Sequence, residues 1–186
     1  MHWRFMCINA INVVGIFIWQ KSVATQNHFI VLCAVQGWCV MNNTEKVLYI
    51  IKEYARLAYL SGSEYLDDRI KNNKVYLSGQ ITGNANYKGL FMFAETLVRF
   101  GDPSEVFNPA IRIPDNLDYR SAMKRCIAGL VECRTIVMLP NAYMSKGAKL
   151  EKEVALSCGL DVITLSDNVI TACAFNAVEE ALKRLL

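Results

Sequence analysis

From Lys74 onward the chain repeats one pattern: a short apolar run, a turn, then a stretch whose apolar residues recur at helical spacing. The apolar runs are Val75-Tyr-Leu77, Glu105-Val-Phe107, Thr135-Ile-Val-Met-Leu139 and Val162-Ile-Thr-Leu165. The third is wholly apolar after Thr135 and is capped by Pro140, as a buried strand would be. Between and after the runs the spacing predicts helices over 86–100, 117–133, 149–158 and 174–185. The first buries Leu90, Phe93, Ala94 and Leu97 and is stopped by Gly101. The second places Met123, Ile127, Leu130 and Val131 inward, and the third carries Leu150, Val154, Ala155 and Cys158 on its apolar side. Strict alternation of strand and helix forces the strands to run parallel, because right-handed crossovers carry the helices over the faces of the sheet. The expected fold is α/β: a doubly wound, flavodoxin- or Rossmann-like parallel sheet of four to five strands with helices on both faces. An N-terminal helix and an apolar leader precede it.

Residues 1–41 differ in composition from the rest, holding all three tryptophans and almost no acid. Two apolar runs, 5–19 and 29–41, are each shorter than the roughly 18 residues a membrane-crossing helix needs. The first has the look of a secretory segment, with Arg4 before it and Ser22-Val-Ala24 resembling a cleavage site. The second run would remain after such cleavage. Taking Met41 as the natural start explains the odd composition without assigning it a function, and is the favoured reading. Over 42–73 an amphipathic helix is expected from Thr44 to about Leu60, with Val47, Leu48, Ile51, Tyr54, Ala55 and Ala58 on one face. Ser61-Gly-Ser63 is expected to end it, leaving a polar linker through Asn73.

Composition narrows the chemistry. Of 186 residues two are histidines, His2 and His28, so the main domain works without imidazole relays or histidine-bound zinc. The seven cysteines form no CxxC pair, which fits free thiols in a reducing, cytoplasmic setting and no metal. A net charge of +3 with no basic tract makes neither nucleic acid nor a membrane an obvious partner. Carboxylates, tyrosines, lysines and thiols are left to handle protons.

In a sheet of this kind ligands bind beyond the carboxyl ends of the strands, where the strand order switches. That rule gathers three loops on one rim: Ser78-Gly-Gln-Ile-Thr-Gly83, Asn108-Pro109, and 140–147. Gly79 and Gly83 let backbone N–H groups approach a phosphate or sugar. Neither GxGxxG nor GxxxxGK[ST] is present, which argues against a dinucleotide or triphosphate site and for no cofactor. Ser145 falls near a helix start, where unpaired N–H groups attract anions, and Glu151 follows two turns in. Glu151 is the candidate for chemistry; the plainer reading is a solvated helix glutamate between Lys149 and Lys152.

Lys74-Val-Tyr-Leu-Ser-Gly-Gln-Ile-Thr-Gly83, Phe107-Asn-Pro109, the run from Cys133 to Pro140, and Ser145-Lys-Gly-Ala-Lys-Leu-Glu151 together resemble the nucleoside 2-deoxyribosyltransferase-like superfamily. The likeness is nearest to an uncharacterised branch common in phages and prophages, and spans about residues 74–166 of a domain taken as 74–186. It implies an enzyme that exchanges bases on deoxyribosides or hydrolyses deoxynucleoside 5'-monophosphates. By the same resemblance Glu151, in the Ser-x-Gly-x-x-x-Glu motif, is the nucleophile and Tyr76 is a second catalytic residue. Ser78, Gly79, Gln80, Gly83, Asn108, Ser145 and Gly147 are substrate-binding. The implied partner is a small nucleoside or nucleotide, and a homo-oligomer of two or more copies is expected. Three departures stand out: Gln80 replaces a serine of the monophosphate hydrolase, Cys126 replaces its Asp, and Arg134 stands where phage relatives carry Asp. Asp115, Asp118, Tyr119 and Tyr143 are the nearby candidates for the missing proton donor. The alternative to an enzyme is a catalytically weak nucleotide-binding or sensing module using the same pocket. A third reading is an interaction protein assembled through the leader and the helix after it.

Overall fold

The structure, a computed structural model, describes residues 41–186; the expectations for the leader lie outside them. Along the chain come α1 (Asn43–Ile70), β1 (Lys74–Ser78), α2 (Tyr87–Arg99), β2 (Glu105–Phe107) and the single turn α3 (Pro109–Arg112). They are followed by α4 (Tyr119–Val131), β3 (Thr135–Met138), α5 (Lys146–Ser157), β4 (Asp161–Thr164) and α6 (Val169–Leu185). Among the described residues the four strands form one sheet in the order β2-β1-β3-β4, and every pairing is parallel. Helices cover both faces, so the doubly wound α/β expectation holds. None of these helices is long and apolar enough to cross a membrane.

The sheet order follows from which runs are wholly apolar. β3 is buried at every position and β1 at all but Lys74, whereas β2 and β4 are partly open. Strands covered on both faces need a continuous apolar run, so β1 and β3 take the centre and the shorter or more polar runs take the edges. Alternation along the strands then sorts side chains to two faces. Val75, Leu77, Val106, Val137 and Ile163 join the larger core, closed by Ile51 and Ala55 of α1, Phe93 and Leu97 of α2, and Phe175 and Val178 of α6. Tyr76, Ile136 and Met138 face the smaller cluster, closed by Cys126 and Leu130 of α4 and Ala148 and Ala155 of α5.

Three local expectations are corrected. Ser61-Gly-Ser63 does not end α1, which continues to Ile70. One glycine lowers helix stability by only about 1 kcal/mol, the Ser61 hydroxyl donates back to the Leu57 carbonyl at 2.9 Å, and Ile70 is fully buried. The stop comes at Asn72, in the left-handed region at φ 59°, whose N–H donates to the Asp102 carbonyl at 2.9 Å. The segment taken for a linker is thus helix followed by a tight turn into β1. Second, α5 begins at Lys146, capped by Ser145, and turns Ala148, Glu151 and Ala155 inward; Leu150 is 44% exposed and Cys158 is at the surface. Two alanines let the helix lie close to the sheet, a gain that outweighs burying the bulkier Leu150. Third, on α4 the buried positions are Cys126 and Leu130, while Met123 and Ile127 are half-buried and Val131 is exposed.

Close packing of α4 on β2 depends on Gly129, where an added Cβ would collide with the Phe107 ring. That ring is stacked on Tyr76 at 5.2 Å and cannot swing away freely. Gly129→Ala is expected to lower stability by about 1–3 kcal/mol in urea denaturation. Unchanged stability would show that the ring has room to move.

Candidate active site

Strand order reverses between β1 and β3, the place where a sheet of this kind offers a ligand site beyond the carboxyl ends of its strands. Tyr76 and Ser78 lie two apart on β1 and so project to one face, toward α5. The Ser145 side chain accepts from the Ala148 N–H at 3.2 Å, fixing where α5 starts. One helical turn past Ala148, Glu151 meets the two hydroxyls: Tyr76 Oη donates to Oε1 at 2.8 Å, and Ser78 Oγ donates to Oε2 at 2.5 Å. Glu151 is 5% exposed, and Tyr76 and Ser78 are fully buried. The carboxylate is no solvated helix residue, despite the lysines on either side of it.

Burial and hydrogen bonding pull Glu151 in opposite directions. Loss of water raises its pKa, while donors from Ser78, Tyr76 and Cys126 lower it; the net shift is upward. The two effects are of similar size, since removing an ion from water costs several kcal/mol and each charge-assisted bond returns about 1.5–3, and burial is the larger of the causes. The Tyr76 phenol is pushed well above its usual value of 10.0, by burial first and then by the neighbouring Glu151 charge. Burial lifts the Cys126 thiol to about 11, so it remains a neutral S–H at physiological pH. The group is therefore one carboxyl held by two hydroxyls, with a neutral thiol nearby.

The other expected site residues divide. Gly79 and Gln80 sit on the rim against the β3 loop: an added Cβ on Gly79 would lie 3.1 Å from Leu139, and the Gln80 N–H donates to Asn141 Oδ1 at 3.3 Å. The Gln80 side chain closes its own loop on the Thr82 carbonyl at 3.2 Å, and Gly83 takes the left-handed φ of 79° that this turn requires. Gly147 allows α4 and α5 to approach, with Met123 Sδ 3.2 Å from its added Cβ. Asn108 is not brought to the carboxylate. Buried and capping α3, its Oδ1 accepts from the Ala110 N–H at 3.0 Å and its Nδ2 donates to Glu95 at 2.8 Å. Among the proposed proton donors, Asp115 is held by Lys88 and Tyr87, Asp118 caps α4, and Tyr119 and Tyr143 stand at the surface. Asn141, which ties the β1 loop to the β3 loop, was not singled out from sequence; an Asn after a strand-capping proline is the only signal it gives.

Two surface cavities accompany the site without including Glu151. One, of about 510 Å³, lies between α4 and α5; the other, of about 180 Å³, is bordered by Lys74, Glu105 and Glu132 at the opposite end of the strands. Among the described residues no group of three or more His, Cys, Asp or Glu is placed to hold a metal ion.

Fold and site together define a doubly wound α/β domain with a buried, hydroxyl-bound carboxylate at its topological switch point. Residues 73–164, from just before β1 to the end of β4, match the family described as "Domain of unknown function (DUF4406)". Nothing among curated proteins and nothing among solved structures matches the chain.

Glu151→Gln tests the burial directly, since it keeps shape and removes charge. A carboxyl whose folded pKa lies above its ordinary 4.5 favours folding most below that value and progressively less as pH rises through the folded pKa. The variant should therefore melt higher than the parent at neutral pH, with the difference shrinking as pH falls toward 4.5. A melting difference independent of pH would contradict the raised pKa.

Proposed function

We propose that the chain cleaves or transfers the N-glycosidic bond of a deoxynucleoside or its 5'-monophosphate through Glu151. The observation that carries this reading is the carboxylate buried between β1 and α5 with one hydroxyl on each oxygen. Its place in the Ser145-to-Glu151 motif, and the likeness of that motif to the nucleoside 2-deoxyribosyltransferase-like superfamily, support the same reading. Within that superfamily the motifs are most like those of the branch common in phages and prophages.

As the bond between the base nitrogen and C1' stretches, positive charge grows on the sugar and the bonding pair leaves with the base. An ionised Glu151 stabilises that charge and closes on C1', giving a glycosyl ester. Water or a second base then attacks C1' from the face the first base left. The sugar keeps its configuration and the carboxylate is regenerated. Tyr76 and Ser78 hold the two oxygens in place, so that the attacking one needs no reorganisation. Because burial raises its pKa, activity should fall at a higher pH than for an ordinary carboxyl as the medium is acidified.

A nucleotide-binding or sensing module of low turnover is the second reading, and Cys126 favours it. With its thiol at about 11, Cys126 is a poor acid for the departing base, where the similar hydrolase carries Asp.

Incubating the full chain with each deoxynucleoside and each 5'-monophosphate, followed by chromatography for free base, tests the proposal. Release should disappear in Glu151→Ala and drop about tenfold or more in Tyr76→Phe. Release unchanged in Glu151→Ala would remove Glu151 from the chemistry, and tight binding without release would select the sensing module.

A further inference from the structure

A shallow apolar groove lies between α4 and α5. Its floor is Tyr119, Met123 and Ile127, spaced four apart on α4, with Leu150 opposite on α5, and Arg120 and Lys124 stand at its edge. Leu150 is 44% and Tyr119 61% exposed, large values for apolar side chains side by side. Of the other exposed cations on the same two helices, Lys146 shares Leu150's side of α5 and Lys149 stands beside it, whereas Arg125 and Lys152 fall on the far sides of their helices. Among the described residues Arg120, Lys124 and Lys146 are in no ion pair, so their charge is not neutralised by a neighbouring acid. α4 contains no acid, and α5 offers Glu153 as its one exposed acid against three lysines. Arg120 and Lys124 thus border the apolar floor on the α4 side, and Lys146, one turn before Leu150, stands on the α5 side.

We propose that the groove between α4 and α5 is the docking site for an acidic amphipathic helix of a partner protein. An apolar stripe at helical spacing receives the apolar side of another helix, and the flanking cations meet its acidic sides. Met123 and Leu150 give a floor that adapts to aliphatic knobs. A nucleic acid strand would call for several aromatic platforms, and the floor has Tyr119 alone. The leader does not fit by charge, since residues 1–40 contain no Asp or Glu and carry Arg4 and Lys21. This inference does not depend on the role of Glu151.

The test is fluorescence anisotropy with the full chain and a labelled synthetic helix of about 18 residues, leucine on one face and glutamate on the other. A scrambled peptide of identical composition, a single-stranded oligonucleotide and phosphatidylserine vesicles serve as competitors. The helix should bind about tenfold tighter than its scrambled form. Lys124→Glu and Leu150→Ser should each weaken it about tenfold, with melting temperatures unchanged because both side chains are exposed. Equal binding of the scrambled peptide would overturn the proposal, as would tighter binding of the oligonucleotide or vesicles. Light scattering in which Leu150→Ser turns a dimer into a monomer would assign the groove to a second copy instead, and would also overturn it.

Discussion

A carboxylate taken out of water and held by two hydroxyls of one strand is the contact around which this domain is arranged. Glu151 can occupy that position only because α5 lies close to the sheet, which Ala148 and Ala155 permit, and because Ser145 fixes where the helix starts. Tyr76 and Ser78 reach it because β1 is central and its alternation sends both toward α5. Moving the register of β1 by one residue would replace them with Val75 and Leu77, and the carboxyl would be left buried without donors.

The two faces of the sheet divide labour. On one, α1, α2 and α6 close a large core with Phe91, Phe93 and Phe175, and α1 adds a 28-residue helix to that layer. The other face has smaller residues, a thiol and the polar cluster. Such a division lets the first face supply most of the apolar burial while the second tolerates a desolvated acid. A buried acid with a shifted pKa marks this second face as the candidate functional one.

The alternation of strand and helix, the buried β3 run and the placing of Ser145 near a helix start were all legible in the sequence, because each is a local signal. Side-chain direction on α5 was not. Leu150 advertises an apolar face that the helix turns to solvent, and the choice of Ala148 and Ala155 depends on how near the sheet stands. Ser61-Gly-Ser63 misled for a similar reason: tertiary burial of Ile70 carries α1 through a weak local stop. The pairing of Tyr76 and Ser78 with Glu151 joins residues more than seventy positions apart, so periodicity alone had no access to it; the motif resemblance supplied all three residues, Tyr76 and Glu151 as catalytic and Ser78 as substrate-binding, without the bond from Ser78 to the carboxylate. Asn108 shows the reverse case, a polar residue at the right sheet edge whose two ends are taken by the α3 cap and Glu95.

The most direct measurement is mass spectrometry of the full chain quenched in acid during turnover of a deoxynucleoside or its monophosphate. The expected result is a deoxyribosyl or deoxyribosyl-phosphate increment on the peptide that contains Glu151, lost when substrate is exhausted and missing in Glu151→Gln. Base release with no increment, or with the sugar on a different peptide, would contradict the claim that this buried carboxylate is the nucleophile.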